Sequence, residues 1–323
     1  MTRFRLTGGT AGADLIDEAV LGVVFGAEAA ARHIASGADV GRADARSVTC
    51  RYQHADGTVI VKRTRHTRSA CAEGPLLRAL HAAGLPVPGV VADTVTGGWH
   101  GLVMVDLGQP DPGTVPLPLP EAAALIAWMH RAGSAVVDTG TLPVVGSAQL
   151  AELPHLALHH LDELAERGQR LYGQLRQRLF ALASLAQRRA ACADRQPVGL
   201  CHGQLHPSRM LRTTDGWTIV GWSRAALAPV LLDLATLHIE WTGPGGMRPD
   251  WTGLLAAYAA GGGDELGDGP CNGLPAQRWA TGWQQLRTAA AALADATLGD
   301  TALPLAATTT VINRLDDALE HLA

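Results

Sequence analysis

The amino-acid sequence predicts an α+β fold in two lobes, a small β-rich N-lobe and a larger, mainly helical C-lobe. After a first helical segment, β-branched runs bounded by turn residues dominate up to residue 107, which is typical of strands. From residue 121 onward, apolar residues recur mostly at helical spacing. The segment 108–120 contains "QPDPGTVPLPLP", whose prolines disfavour sheet pairing and indicate an interlobe connection. A chain of 323 residues is long enough for both lobes.

The elements of the N-lobe, residues 1–107, can be assigned in chain order. "DLIDEAVLGVVFGAEAAARHI" has helical apolar spacing and predicts a helix within residues 1–45, followed by a loop. "RSVTCRYQHADGTVIVKR" contains two β-branched runs around a polar turn and predicts a hairpin, with Lys62 at the end of the second strand. A helix that carries Glu73 follows and stops at Gly84. A strand around 87–92 and a short buried strand in "HGLVMVDLG" complete the lobe.

The C-lobe, residues 121–323, begins with a helix in "PEAAALIAWMHRAG", which has proline at its start and an acidic first turn. Extended apolar periodicity in "HLDELAERGQRLYGQLRQRLFALASLAQRRAACA" predicts further long helices. A β-rich island at 198–222 interrupts them, and "TTDGW" within it is typical of a tight hairpin turn. The glycine-rich residues 261–276 predict a loop.

Charge and composition exclude several classes of function. The formal net charge of −4 argues against nucleic acid as a partner, because phosphate backbones are bound through clustered positive charge. No apolar run is long enough to span a membrane, and the amino terminus does not have the pattern of a secretory signal. We therefore expect a cytoplasmic protein. The five cysteines form no C-x-x-C pair and no metal-ligand spacing, so we expect reduced, mostly buried thiols.

The basic residues are unusual in type. Lys62 is the only lysine, and the other 25 basic residues are arginines. Together with the abundance of Ala, Gly and Leu, this bias suggests a G+C-rich, actinobacterial source. A lysine that persists against such a bias is a candidate for a role that the broad, planar guanidinium of arginine cannot fill.

The stretch "HGQLHPSRMLRTTDGWTIVGWSRAALAPVLLDLA", residues 202–235, gives the chain a specific resemblance. It is similar to the aminoglycoside phosphotransferase and choline kinase family, whose signature is H-G-D-x-H-P-x-N, a hairpin, I-D-W and a closing D-L-A. That family has the protein-kinase-like fold, in which a strand lysine and a helix glutamate precede the helical lobe. The resemblance covers most of the chain from about residue 35 and implies the same bilobal architecture here.

Phosphoryl transfer needs a carboxylate that orients or deprotonates the attacking hydroxyl, and oxygen ligands that hold a metal at the phosphates. By resemblance, Gln204 stands in place of the base aspartate, Arg209 in place of a metal-binding asparagine and Gly221 in place of a metal-binding aspartate. An amide is not a useful base, arginine repels a cation, and glycine has no side-chain ligand. The sequence therefore predicts that the Mg²⁺-dependent catalytic residues are lost and that no metal is held.

The residues that support the loop in the family are nevertheless present. His202, Gly203, His206 and Pro207 continue the signature, and Asp233 matches a buried aspartate that hydrogen-bonds the catalytic-loop backbone. This combination is what a pseudokinase would show. No residue is a firm catalytic candidate, and His206 is a possible one, because a histidine titrates near neutral pH. A supporting role in the loop is the alternative.

Nucleotide contacts are also implied by the resemblance. Lys62 and Glu73 match the pair that holds the α- and β-phosphates. The backbone from Met104 to Leu107, which includes Asp106, is a candidate adenine-binding hinge, and a buried strand without that role is the alternative. The glycine-rich cover is weak, since residues 36–47 offer only Gly37 and Gly41. The expected cofactor is therefore ATP or another nucleotide, bound without Mg²⁺.

These observations predict a pseudokinase of the aminoglycoside phosphotransferase type that acts by binding. It would serve as a partner subunit or as a substrate-presenting scaffold, with a protein, peptide or small-molecule ligand. The resemblance and the composition suggest specialised or modified-peptide metabolism in an actinobacterium. The alternative is an active or repurposed phosphotransferase-fold enzyme that acts on a small-molecule or peptide hydroxyl.

Overall fold

The structure of the protein is a computed structural model that describes most of the chain. The predicted helix within 1–45, the glycines Gly37 and Gly41, and the proline-rich residues 109–116 lie outside the described residues. The described residues are 38–39, 47–54, 57–65, 68–96, 99–108, 117–136, 142–166, 172–214, 216–241, 248–264, 266, 271–298 and 305–323.

The N-terminal part forms an antiparallel sheet in the order β1-β2-β3-β5-β4. The β-branched runs of the predicted hairpin become β2 and β3, and Lys62 lies within β3, opposite Leu102 of β5. The strands are β1 (Ala38–Asp39), β2 (Ser47–His54), β3 (Gly57–Arg65), β4 (Val90–Thr96) and β5 (Trp99–Val105). The β-rich N-lobe predicted from the sequence is confirmed in these residues.

Helix α1 (Arg68–Ala82) carries Glu73 and ends as the sequence predicts. Gly84 adopts a φ of +78°, and the amide of Leu85 donates to the carbonyl of Leu80, which closes the helix with a left-handed glycine. The next strand begins at Val90 rather than at residue 87. Two prolines in "LPVPGVV" restrict the backbone and remove amide donors before that point, so the ladder starts only after them.

The C-terminal part is mainly helical, as predicted. Within the described residues, no helix is both long and apolar enough to cross a membrane. Helix α7 packs against three others, α3, α5 and α8, and its Trp279 and Trp283 are fully buried. The helices are α2 (Leu119–Val136), α3 (Ser147–Glu166), α4 (Tyr172–Ala190), α5 (Leu231–Glu240), α6 (Trp251–Ala260), α7 (Ala276–Leu298) and α8 (Leu305–Leu322).

The predicted β-rich island consists of two short antiparallel pairs. Strand β6 (Val198–Cys201) pairs with β9 (Ala226–Pro229), and β7 (Met210–Thr213) pairs with β8 (Gly216–Ile219). The residues between β6 and β7 form the segment that carries the sequence signature. We call residues 202–209 the signature loop.

The described residues divide into two compact units. The first contains the N-terminal sheet and α1 together with Leu211–Ser223, which includes β8 and all of β7 except its first residue, Met210. The second contains the signature loop, β6, β9 and helices α2 to α8.

A disulfide corrects the prediction that all five cysteines are reduced. Cys192 and Cys271 are bonded across a sequence separation of 79 residues, and both are buried. The pair has no C-x-x-C spacing because chain topology, rather than local sequence, brings the two residues together. Cys50 and Cys201 are buried and form no disulfide, as predicted.

Candidate functional site

The signature loop is anchored by hydrogen bonds to Asp233, which lies in the first turn of α5. Its carboxylate accepts hydrogen bonds from the backbone amides of His202, at 2.6 Å, and of Gly203, at 3.0 Å. Asp233 is fully buried, and charge-assisted bonds of this kind fix backbone geometry strongly. Gly203 has a φ of +81°, and a Cβ there would lie 2.3 Å from the carbonyl oxygen of Arg224, so only glycine fits.

A buried histidine completes this support. His130 Nε2 lies 3.5 Å from Asp233, and Nδ1 lies 3.0 Å from the hydroxyl of Tyr258. Burial by itself would raise the pKa of Asp233, but the hydrogen bond from His130 and the nearby imidazole of His202 outweigh it and lower that pKa. Asp233 therefore remains a carboxylate that can hold the loop.

Cys201 completes a cluster with His130 and Asp233, whose ligand-type atoms lie within 4.8 Å of one another. Burial raises the pKa of the Cys201 thiol well above its usual value, which opposes the thiolate that a metal requires. The Asp233 oxygens already accept two backbone amides. The cluster fits loop support rather than a metal centre.

Gln204 occupies the position where the resemblance implies the base. Its backbone amide donates to Nδ1 of His202, at 3.3 Å, and its side chain is half-buried at the edge of a cavity. The cavity has a volume of about 210 Å³ and lies within the second unit. Its lining residues are Gly203, Gln204, Arg224, Gln284, Arg287, Thr288, Ala291, Ala292 and Asp295.

Arg209 ends the short 3-10 helix Pro207–Arg209, and its amide donates to the carbonyl of His206 at 2.8 Å. The Arg209 side chain is half-buried and brings a permanent positive charge to the end of the signature loop. His206 Nδ1 lies 2.8 Å from the hydroxyl of Ser208. Burial, with the charge of Arg209, lowers the pKa of His206. The imidazole is therefore largely neutral at pH 7.

Gly221 follows β8 and adopts a φ of +86°, a left-handed conformation that favours glycine. It precedes Trp222, which is buried and donates its indole N–H to the carbonyl of Ile219 at 2.9 Å. Position 221 offers no side-chain ligand. Gly221 belongs to the first unit, whereas Gln204 and Arg209 belong to the second.

Lys62 and Glu73 form the predicted pair. The Lys62 ammonium lies 2.7 and 2.9 Å from the two carboxylate oxygens of Glu73. The Glu73 side chain is 2% exposed and that of Lys62 is 11% exposed. A salt bridge this well buried holds the lysine in one position. The first unit thus has the strand-lysine and helix-glutamate arrangement that the sequence predicts.

The two expected hinge residues lie at the end of β5. Met104 pairs with Ile60 of β3 and with Val90 of β4. The Asp106 carboxylate accepts from Arg51 at 2.5 and 2.9 Å and from the amide of Gly108 at 2.9 Å. Burial opposes ionisation of Asp106, but the hydrogen bonds from Arg51, Thr58 and the Gly108 amide, with the charge of Arg51, together outweigh it and lower the pKa. The Asp106 side chain is therefore engaged in contacts within the protein, so the predicted nucleotide contact would have to be made by the backbone.

Sequence reasoning did not identify the α7 side of the cavity. Gln284, Arg287, Thr288 and Asp295 lie on one face of α7 because their spacing follows the helical repeat. The segment "QQLRTAAAALAD" does contain a signal, since Gln284, Arg287, Thr288 and Asp295 recur at helical spacing. Nothing in the sequence says that this face lies next to Gln204.

Residues 41–271 match the family model described as the phosphotransferase enzyme family, APH. The match covers more than half of the chain and includes the Lys62–Glu73 pair, the signature loop and Asp233. A comparison with curated protein sequences gives no match.

Several solved structures have the same fold at low sequence identity. A choline kinase from Cryptosporidium parvum is 10% identical with a TM-score of 0.60, and the alignment covers 88% of this chain and 87% of that one. A spectinomycin phosphotransferase in complex with ADP and spectinomycin is 13% identical with a TM-score of 0.57, over 88% and 93% of the two chains. An aminoglycoside-3'-phosphotransferase of type VIII is 20% identical with a TM-score of 0.53, over 78% and 93%.

Proposed function

We propose that this chain, which belongs to the phosphotransferase enzyme family APH, is a pseudokinase that binds ligands without Mg²⁺-dependent phosphoryl transfer. One observation carries the proposal: Asp233 holds the signature loop through two backbone amides, yet the loop has Gln204 and Arg209 where the family resemblance implies a base and a metal ligand. The scaffold for the chemistry is complete and the reactive groups are different.

The physical chemistry of these side chains supports loss of transfer. The amide of Gln204 does not accept a proton near pH 7, so it can orient a hydroxyl but cannot deprotonate it. The guanidinium of Arg209 opposes a divalent cation, and Gly221 supplies no oxygen to bridge a metal to phosphates. Without the metal, the charge that develops on the transferred phosphoryl group loses its main stabilisation.

Nucleotide binding is the second part of the proposal. The preformed Lys62–Glu73 pair supports a site for the α- and β-phosphates, and the similar spectinomycin phosphotransferase was solved with ADP. Binding would not depend on Mg²⁺, because the positions of the metal ligands are occupied by Arg209 and Gly221. Backbone near Met104 and Asp106 would contact the base.

The proposed biological role is that of a partner subunit or a substrate-presenting scaffold in the cytoplasm. Specialised or modified-peptide metabolism in an actinobacterium is the setting that its composition and family suggest. The chain would bind a protein, peptide or small-molecule ligand without converting it to a product.

Isothermal calorimetry of ATP, with and without Mg²⁺, tests the proposal. We expect the wild type to bind ATP with an affinity that Mg²⁺ leaves nearly unchanged. Lys62→Met should weaken binding by about tenfold or more, because a charge-assisted contact to phosphate is lost. Arg78→Met is the matched control, since it removes an exposed ion pair to Asp93 in the same unit.

Lys62→Met also leaves the Glu73 carboxylate buried without its cation, so the fold is checked by thermal unfolding. The double variant Lys62→Met/Glu73→Gln removes that buried charge and keeps the test interpretable. Strong Mg²⁺ dependence, or ATP binding that persists unchanged in the double variant, contradicts the proposal.

A repurposed phosphotransferase-fold enzyme is the second candidate, and the state of His206 favours it. Its lowered pKa keeps the imidazole neutral at pH 7, and its place in the signature loop is two residues beyond Gln204. A neutral imidazole can accept a proton from a hydroxyl. Metal-independent turnover that disappears in His206→Gln would establish this alternative.

A further inference from the structure

The cavity beside Gln204 is built on one face of α7. Gln284, Arg287, Thr288 and Asp295 follow each other at spacings of three, one and seven residues, and they turn the same side toward the signature loop. Two alanines on that face, Ala291 and Ala292, keep the wall small and leave the volume of about 210 Å³ open. Arg224, two residues after Trp222, also lines the cavity.

The cavity lining contains two positively charged side chains, Arg224 and Arg287, and one carboxylate, Asp295. Arg224 Nη2 lies 2.9 Å from the carboxylate of Asp295, so these two charges balance. Arg287 donates through Nη1 to the amide oxygen of Gln284 at 3.2 Å, and no carboxylate of the described residues lies within ion-pair distance of it. One positive charge therefore remains in the lining.

The environment of Arg287 strengthens the effect of that charge. Burial lowers the pKa of its guanidinium, and the nearby carboxylate of Asp233 acts in the opposite direction. An arginine stays protonated in proteins in spite of such shifts. The Asp233 carboxylate already accepts hydrogen bonds from the amides of His202 and Gly203, so it does not act as the hydrogen-bond partner of Arg287. A poorly solvated guanidinium attracts an anion more strongly than an exposed one does.

We propose that this cavity binds a small molecule through a carboxylate or phosphate group, with Arg287 as the main contact and Gln204 and Thr288 as polar neighbours. The guanidinium fork matches both anions in geometry. A cationic amine in the same place would be repelled by Arg287 and would compete with Arg224 for Asp295. The inference rests on the proposed function in one respect, namely that the ligand of this chain occupies the cavity at the signature loop.

The test uses the full chain and three small probes without nucleotide. Malonate and 1,3-diaminopropane are similar in length and opposite in charge, and inorganic phosphate distinguishes a phosphate preference from a carboxylate preference. Binding is followed by calorimetry, and the site is located by chemical-shift changes in α7. We expect malonate or phosphate to bind with shifts at Arg287 and Thr288, and diaminopropane to bind at least about tenfold more weakly.

Arg287→Gln should weaken binding of the anion by about tenfold or more. Arg278→Gln is the matched control on the same helix, because Arg278 contacts the carbonyl of Glu320 and does not line the cavity, so we expect no change. Diaminopropane that binds as tightly as the anions would overturn the proposal. So would anion binding unaffected by Arg287→Gln, or no detectable binding of either anion.

The two proposals fail separately. The anion titrations contain neither ATP nor Mg²⁺, so a discovery of phosphoryl transfer would leave their outcome intact. Conversely, absence of anion binding at Arg287 would leave the ATP measurement with Lys62→Met unchanged.

Discussion

The signature loop has a buried side and a cavity side, and the two differ in kind. On the buried side, the amides of His202 and Gly203 donate to Asp233, which His130 approaches to 3.5 Å. On the cavity side, a neutral amide at Gln204 borders the space where the family resemblance implies a carboxylate. One side has the groups that hold the loop, and the other presents Gln204 where the family resemblance implies the catalytic carboxylate.

The two sides are constrained by different requirements: stability of the fold on the buried side and chemistry on the cavity side. Buried backbone amides must be hydrogen-bonded whatever the protein does, so Asp233 is required for the fold. A half-buried side chain at a cavity is solvated in part, and changing it costs little stability. A loop can therefore keep its shape while its chemistry changes.

Removal of Asp233 should have the largest effect. Asp233→Ala leaves two buried amides without an acceptor and His130 without its carboxylate, and we expect a loss of about 3 to 5 kcal/mol in the free energy of unfolding. Urea denaturation measures it. The matched variant on the other side of the loop, Gln204→Ala, should cost less than about 1 kcal/mol. Equal losses from the two variants would remove the distinction between the two sides.

The disulfide is a second buried support, and its effect should be somewhat smaller. Cys192 and Cys271 close a loop with a sequence separation of 79 residues. In the chain-entropy model, closing a loop of this length stabilises the folded protein by at most about 4.5 kcal/mol, and typical measured values are lower. The variant Cys192→Ser/Cys271→Ser should lower the unfolding midpoint, and dithiothreitol should lower the wild type to the same value. A wild type insensitive to the reductant would show that the bond does not form in solution.

Titration of His206 should have the smallest effect. Burial and Arg209 lower its folded-state pKa, while Glu240 acts in the opposite direction. The unfolded chain therefore takes up the proton first, near its ordinary pKa of about 6.5. Stability present above that pH is lost as the pH falls through the folded-state pKa.

His206→Gln should reduce this loss between about pH 7 and pH 5 without abolishing it. His238 and His321, whose pKa values are also lowered by burial, contribute in the same direction. Unfolding curves at a series of pH values provide the measurement. An identical pH dependence in the wild type and in His206→Gln would contradict the assignment.

Much of the fold could be predicted because its signals are local. The β-branched runs on either side of a polar turn became β2 and β3, and Gly84 ended α1 with a positive φ. The Lys62–Glu73 pair was predicted through the family resemblance, and the structure places the two charges in contact. Each of these depends on short stretches of sequence or on a motif with fixed spacing.

What the sequence did not predict depends on contacts between distant segments. The Cys192–Cys271 disulfide and the position of Arg287 beside Gln204 both join residues that are far apart in the chain. The start of β4 at Val90 was missed for a different reason, because prolines shifted the first ladder bond along the strand. Periodicity and motif spacing contain no information on such packing.

The most direct test of the central claim is transfer of labelled γ-phosphate from ATP in the presence of Mg²⁺. We predict that the wild type gives no phosphate release or transfer above a protein-free blank. The variant Gln204→Asp/Arg209→Asn/Gly221→Asp should gain Mg²⁺-dependent hydrolysis, since aspartate tolerates the left-handed backbone at 221 better than most residues do. Mg²⁺-dependent turnover by the wild type would contradict this prediction, because it would require metal ligands other than the residues at 209 and 221 and a base other than the residue at 204.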